Sequence, residues 1–418
     1  MERRPRRALA ALASMGILAS VLVVAPPAAA DSIRDRQYWL NQYGISQAWS
    51  TTKGAGVTVA VIDTGIDGSH PDLTGQVVGG TDVSGVGAAD GQTPVGDSSE
   101  HGTMVASLLA GHGHGDGAGV MGVAPEAKLL AVSMGFGVGS VSSDDQIASA
   151  VRWSVDNGAD VINMSLTRNT LEWPESWDDA FLYAMQNDVV IVAAAGNRGS
   201  GTTQVGAPAT MPGVLTVAGV DRSGSASFDA SSQGITISVA APSEELVGAL
   251  PGGEYALWNG TSGATPLVAG LVALVRSAHP ELDAGNVINR ITATATQVGN
   301  ARVSPIYGHG RINATAAVLS DVPAVTDDPA DQLEEWIRLY RRADSQPTQA
   351  PTETVTPTPK PVPAPVAGPS NPLGTLLPTV DSLRNVGVPL LVYSVFGALL
   401  AGAAAMAVRS FRRVRDKR

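Results

Sequence analysis

The sequence predicts a three-layer α/β domain with a mainly parallel central sheet, followed by a single C-terminal transmembrane helix. Three observations carry this. Apolar runs of strand length recur through the middle of the chain, and several are continuously apolar rather than alternating, the pattern of strands covered on both faces. Helical runs stand between them, as an α/β layering requires. The two ends of the 418-residue chain differ in composition from everything between.

Residues 1–30 open with Arg3, Arg4, Arg6 and Arg7, continue through an apolar run from Ala8 to Val24, and close on Ala28-Ala29-Ala30. This reads as a secretory signal peptide cleaved after Ala30. The domain is expected over residues 31–320. Its candidate strands are Val57 to Ile62, Lys128 to Ser133, Asp160 to Ser165, Val189 to Ala195, Gly213 to Ala218 and Ile235 to Ala240. Ser143 to Asn157 reads as a helix with Ile147, Val151 and Val155 at four-residue spacing and Gly158 as its terminator.

Within 321–345, "DDPADQLEEWIRLYRRAD" places Leu333, Trp336, Ile337 and Tyr340 on one helical face, an amphipathic helix that packs on the domain or on a partner. Residues 346–385 form a linker, since Gln346 to Pro372 holds nine of the 27 prolines. In polyproline geometry that proline-rich stretch reaches up to roughly 80 Å. Val386 to Val408 is a run of 23 uncharged residues, ahead of a basic tail over 409–418. Length and flank read as a single-pass membrane anchor with a cytoplasmic tail, which places the domain outside the cell membrane.

Of 27 cations and 38 anions, the signal and tail hold ten and two, so the exported part has a net charge near −19. So acidic a surface argues against nucleic acid or anionic lipid as ligand. The chain has no cysteine, which excludes disulfides and thiolate metal sites and leaves the fold to an ordinary hydrophobic core.

Reactive residues of parallel sheets lie past the carboxyl ends of strands. "VTVAVI" runs into Asp63-Thr64-Gly65 there, although Asp-Thr-Gly is also a common turn. "EHGTMVASLLAG" puts His101 at the mouth of a small-residue helix, and a lone histidine is more often a loop residue or a cap. "VVIVAAAGN" ends on Asn197, whose amide is a hydrogen-bond donor. "WNGTSGATPLVAGLVAL" sets Ser262 at a helix start, where the orphan N–H groups and the dipole favour an anion. Pro266 is tolerated there as a first-turn residue. The commoner use of Thr261 or Ser262 at such a place is as an N-cap.

Amide hydrolysis through a serine needs a base, a carboxylate that fixes the base's tautomer, and donors aimed at the tetrahedral oxyanion. His101, Asp63 and Asn197 beside Ser262 are those parts. The ordered motifs "DTGIDGSHPDL", "HGTMVAS", "AAAGN" and "GTSGATPLVAG", with "GADVINMSL" and "YGHGRINA", resemble the subtilisin-like serine proteases over roughly residues 40–316. The resemblance implies that Asp63 orients, His101 is the general base, Ser262 is the nucleophile, and Asn197 with the Ser262 backbone N–H forms the oxyanion hole. It also implies a substrate strand between "SMGFG", with Ser133, Met134 and Gly135, and "MSL", with Met164, Ser165 and Leu166. Ala194, Ala195 and Gly196 would border the side-chain pocket, and Phe136 and Leu166 hint that it is apolar. Gly263 and Leu267 stand where many relatives carry methionine and histidine, which removes no catalytic group.

Signal, protease domain, proline-rich linker, membrane helix and basic tail together resemble the mycosins, membrane-anchored proteases associated with type VII secretion. Expected partners are therefore a protein or peptide substrate and type VII secretion membrane components. The lack of cysteine is unlike the better-known mycosins. With 32 residues between Ala30 and Asp63, no large folded propeptide is expected.

No cofactor and no metal is assigned. His112 and His114 in "GHGHG" have no third ligand, and Asp67 and Asp72 as calcium ligands are not decided by sequence. An aspartic protease accounts for "VIDTG" but lacks a second such motif and leaves His101 and Asn197 unexplained. An α/β-hydrolase accounts for Gly260 to Ala264, but its Ser, Asp, His order would leave Asp283 and His309 in too short a remnant. A scaffold within a secretion complex, with catalysis secondary, is the non-enzymatic alternative.

Overall fold

The continuously apolar runs form a sheet covered on both faces. In the computed structural model, which describes residues 32–115 and 117–345, the strands are β1 (Thr58–Asp63), β2 (Val77–Asp82), β3 (His112–His114), β4 (Ala118–Met121), β5 (Lys128–Ser133) and β6 (Val161–Met164). They continue with β7 (Val190–Ala194), β8 (Leu215–Val220), β9 (Ile237–Pro242), β10 (Leu246–Leu250) and β11 (Glu254–Trp258). Seven make one sheet in the order β2-β5-β1-β6-β7-β8-β9, each neighbouring pair parallel. β3 with β4 and β10 with β11 are antiparallel hairpins.

All six expected strands are present, shifted at most two residues at their starts and ends. β2, "VVGGTD", escaped the sequence reading because it is a partly exposed edge strand carrying two glycines, which depress strand propensity. Space requires the second of them: a Cβ at Gly80 would stand 2.0 Å from the Asp90 carbonyl oxygen.

The helices are α1 (Ser32–Asp35), α2 (Trp39–Gln42), α3 (Ile45–Ala48), α4 (His101–Ala110), α5 (Ser143–Asp156), α6 (Glu175–Gln186), α7 (Thr261–Ala278), α8 (Ala284–Ala293), α9 (Ala314–Leu319) and α10 (Pro329–Ser345). α5 is capped as its sequence indicates: the Ser142 hydroxyl accepts from the Asp145 N–H, Asp144 and Asp145 occupy the first turn, and Gly158 follows at φ +78°. α7 is buried almost all round from Gly263 to Val275 and packs on α4 and on β6 to β9.

β1 is the pivot. From it the chain first builds β2 and β5 on one side and then β6 to β9 on the other, so the strand order reverses there. At such a switch the connections leave in opposite directions and open a crevice at the carboxyl edge. Asp63, level with Ser133 in the sheet, lies on that edge.

α10 shows what the amphipathic segment does. Leu333 is fully buried, and the Trp336 ring packs on Trp173 at 4.3 Å between centroids. Arg341 donates to Asp178 Oδ2 and to the Trp173 carbonyl, each at 2.8 Å, while Asp178 Oδ1 accepts from the Trp173 indole at 2.6 Å. The face read from the sequence thus docks on α6, although Tyr340 stays 58% exposed. The signal (1–30), linker (346–385), membrane helix (386–408) and tail (409–418) lie outside the described residues. Among the described residues no helix is long and apolar enough to cross a membrane.

If Leu333 fastens α10, Leu333→Ala should lower the unfolding free energy by about 2–4 kcal/mol. Urea unfolding checks this, and an unchanged midpoint would mean that α10 contributes nothing to the fold.

Candidate active site

A carboxylate buried at a strand end must be met by donors or it will not stay ionised. Asp63 is 1% exposed. Its Oδ1 accepts from the Thr64 N–H at 2.7 Å, and His101 Nδ1 lies 2.8 Å from Oδ1 and 3.0 Å from Oδ2. Two local devices bring the imidazole there. Thr64 Oγ1 accepts from the Gly102 N–H at 2.9 Å and donates to the Ser99 carbonyl at 3.0 Å, tying the start of α4 to the turn after β1. Gly65, at φ +101°, lets that turn approach Gly102 so closely that a Cβ on Gly102 would stand 2.2 Å from the Gly65 oxygen.

With Nδ1–H donating to Asp63, the neutral ring carries its free lone pair on Nε2. Burial pushes the imidazolium down, but the Asp63 charge and hydrogen bond, with Glu100 adding to them, outweigh it and raise the His101 pKa above 6.5.

Ser262 is the second residue of α7. The N-cap is Gly260, so neither Thr261 nor Ser262 serves as one. The cap comes from across the site, where Asn197 Oδ1 accepts from the Thr261 N–H at 2.8 Å and from its hydroxyl at 2.9 Å. Two donors on that oxygen fix the amide's orientation and turn Nδ2 away from Thr261. Thr261 Oγ1 also accepts from the Gly196 N–H at 3.1 Å, so one buried hydroxyl ties the end of β7 to the start of α7.

Pro266 is the sixth residue of α7, not a first-turn residue as expected from the sequence. Its missing N–H leaves the carbonyl four residues back without a helical partner. That carbonyl belongs to Ser262, and it accepts from the Ser165 hydroxyl at 2.9 Å. The Ser262 hydroxyl in turn donates to the Ser165 carbonyl at 3.0 Å, and Asn163 Nδ2 donates to Ser165 Oγ at 3.0 Å. The proline therefore releases the backbone of Ser262 to be gripped by the strand end opposite. Among the described residues no hydrogen bond joins Ser262 to His101, so the hydroxyl must rotate off the Ser165 carbonyl to reach the imidazole.

A cleft of about 320 Å³ opens beside these groups, lined by His101, Thr64, Val95 to Ser98, Phe136 and Ser165 to Thr167. Ser165 and Leu166 thus lie on it, and Phe136 is 47% exposed. The other segment of the expected substrate strand is differently engaged. Ser133 and Met134 are buried, with Ser133 Oγ donating to Asp82 Oδ1 at 2.6 Å and the Met134 N–H donating to the Asp63 carbonyl at 2.8 Å. Gly135 N–H and carbonyl are both taken by the Gln146 amide, at 2.8 and 3.3 Å. Met164, Ala194 and Ala195 are buried as well, and the Gly196 carbonyl accepts from the Ser232 N–H at 2.7 Å.

The remaining acidic candidates are satisfied by the protein. Asp67 accepts from Ser69 and from the Gly252 N–H, and its pKa is lowered because these hydrogen bonds outweigh desolvation. Asp72 accepts from the Val120 N–H at 2.7 Å and the Tyr255 hydroxyl at 2.9 Å, with His114 Nδ1 2.6 Å away. His112 has both ring nitrogens on backbone carbonyls. Among the described residues no group of three histidine or acidic side chains is arranged to hold a metal ion.

A parallel sheet with an Asp-His pair at its pivot strand and a serine at an opposed helix start defines a subtilisin-like serine endopeptidase. The Subtilase family model matches residues 54–310, and the chain belongs to that family. It is 41% identical over 284 residues to subtilisin E of Bacillus subtilis (strain 168), covering 66% of this chain and 70% of the relative. Among solved structures it is similar to MycP1 with the N-terminal propeptide removed, at TM-score 0.59 and 31% identity, over 69% of this chain and 98% of that one. It is also similar to MycP3, a protease from the type VII (ESX-3) secretion system, at TM-score 0.58 and 32% identity, over 68% of this chain and 88% of that one.

Titration of His101 by NMR should give a midpoint above 6.5. Asp63→Asn should move it down, because the charge favouring imidazolium is gone. An unmoved midpoint would separate the two residues electrostatically.

Proposed function

We propose that the protein is a membrane-anchored, extracytoplasmic serine endopeptidase of mycosin type, cleaving by a triad of Ser262, His101 and Asp63. The observation that carries the reading is the Asp63–His101 pair, fixed at Nδ1, with His101 and Ser165 lining one cleft and Ser165 hydrogen-bonded to Ser262. In the reaction Ser262 Oγ attacks the scissile carbonyl as His101 Nε2 takes its proton, and Asp63 steadies the imidazolium so formed. The oxyanion is met by Asn197 Nδ2 and by the Ser262 N–H at the positive end of α7. His101 then gives the proton to the leaving amine, and water releases the acyl group by the same steps. Ser165 and Leu166 line the substrate side, and the sequence resemblance adds the 133–137 segment, through Phe136 rather than the already hydrogen-bonded backbone of Met134 and Gly135, with Ala194 to Gly196 as the pocket border.

Anchoring rests on the apolar run 386–408 with its basic flank, and export on residues 1–30. Similarity to MycP1 and MycP3 supports a place beside type VII secretion membrane components.

A fluorophosphonate should label Ser262 alone, and Ser262→Ala should abolish labelling and peptide cleavage. Pepstatin-sensitive cleavage surviving in that variant would favour the aspartic reading, and a folded wild-type enzyme that cleaves nothing would favour the scaffold. Asn197→Leu should leave KM nearly unchanged while kcat falls about 10²- to 10³-fold, the range for losing one oxyanion donor in this family. A raised KM at unchanged kcat would make Asn197 a substrate-binding residue instead. Below the raised His101 pKa the base is protonated, so kcat/KM should be lost on the acid side at a pH above 6.5.

A further inference from the structure

The Asp63 hydrogen bond holds Nδ1 of an imidazole whose side chain is still 25% exposed, on a histidine that has no second hydrogen-bond anchor on its ring among the described residues. A second constraint stands beside it. The Trp258 indole meets the His101 ring edge to face, with centroids 5.6 Å apart and planes at 80°. Such pairs hold a preferred geometry.

The wall is tied to the helix it steadies. Trp258 ends β11 and pairs with Leu246 of β10. β10 is fastened to α4, where the Ala249 N–H donates to Ser107 Oγ at 3.0 Å, and a Cβ at Gly248 would stand 3.0 Å from both Met104 Cβ and Trp258 Nε1. The hairpin carrying the indole and the helix carrying the imidazole are one packed unit.

On its other side the indole borders Gly263. A Cβ there would lie 3.3 and 3.5 Å from Trp258 Cζ2 and Cη2, and 2.4 Å from Leu246 Cδ1. Gly263 has an ordinary φ, and the tight contact there is with the end of the Leu246 side chain, the indole lying close to ordinary packing distance. Trp258 and Leu246 together fill the place a side chain after Ser262 would take.

We infer that Trp258 is a positioning residue for His101, holding the imidazole in the orientation from which Nε2 takes the Ser262 proton once that hydroxyl has turned off the Ser165 carbonyl. This deepens the reading of His101 as general base and rests on it. A cross-strand neighbour of Leu246 and an edge contact to His101 place the same ring against both halves of the proposed machinery.

The test compares the full-length wild-type enzyme with Trp258→Leu, Trp258→Phe and Trp258→Met, by fluorophosphonate labelling rate at Ser262 and by kcat and KM on a peptide anilide. Trp258→Leu should slow labelling and kcat about 10- to 100-fold at unchanged KM, since a misplacement of about 1 Å can cost that much. Trp258→Phe keeps an aromatic ring and should retain most of the rate, while Trp258→Met should slow labelling as Trp258→Leu does. The low-field Nδ1 proton of His101 should broaden in Trp258→Leu. Wild-type labelling by folded Trp258→Leu, or a raised KM at unchanged kcat, would overturn the inference. If Trp258→Leu does not fold, wild-type labelling by folded Trp258→Met does so. Failure of the triad reading is a separate result, in which Ser262→Ala still cleaves.

Discussion

The site depends on keeping one carboxylate ionised inside the protein. Asp63 stands at the carboxyl end of the pivot strand with almost no access to water, and two groups answer its charge: the N–H of the next residue and the Nδ1 of His101. The second comes from 38 residues further along the chain, so the fold must deliver a helix start to the strand end. Thr64 and the Gly65–Gly102 approach do that. The tautomer, the raised affinity of His101 for a proton and the free lone pair on Nε2 all follow from that one satisfied charge.

Around α7 the same economy recurs with backbone groups. A helix start has N–H groups to satisfy, and here Asn197 caps one of them with its oxygen, which commits its nitrogen to another direction. A helix-interior proline ordinarily costs stability, yet Pro266 releases the carbonyl of Ser262, and Ser165 takes it up. A cap and a missing helical hydrogen bond, which are structural events, thereby fix the aim of the Asn197 amide and the place of the Ser262 backbone.

The sheet was legible because continuously apolar runs have few alternatives in a chain of this length, and the six runs read from sequence all lie in it. β2 was hidden by its exposed edge position and its glycines, and the hairpin β10–β11 by a mixed pattern with two exposed residues in β11. At the site, Asp63, His101, Asn197 and Ser262 were legible because each sits in a motif tied to a strand end or helix start. Thr64 and Thr261 were not, since a hydroxyl that bridges two distant backbones has no local signature. Trp258 and Gly263 lay within a quoted motif, but their relation is one of volume, which spacing does not carry. The backbone of Gly135 looked free in sequence and is occupied by Gln146, an interaction between residues 11 apart across a loop.

The central claim is that Ser262, Asn197 and the Asp63–His101 pair act on one carbonyl. A crystal structure of the protein with a peptide boronate tests it most directly. Boron should be bonded to Ser262 Oγ, with one boronate oxygen within about 2.7–3.1 Å of both Asn197 Nδ2 and the Ser262 N–H, and His101 Nε2 facing the bonded oxygen. A boronate bound through another residue, or an oxygen pointing away from Asn197, would contradict it.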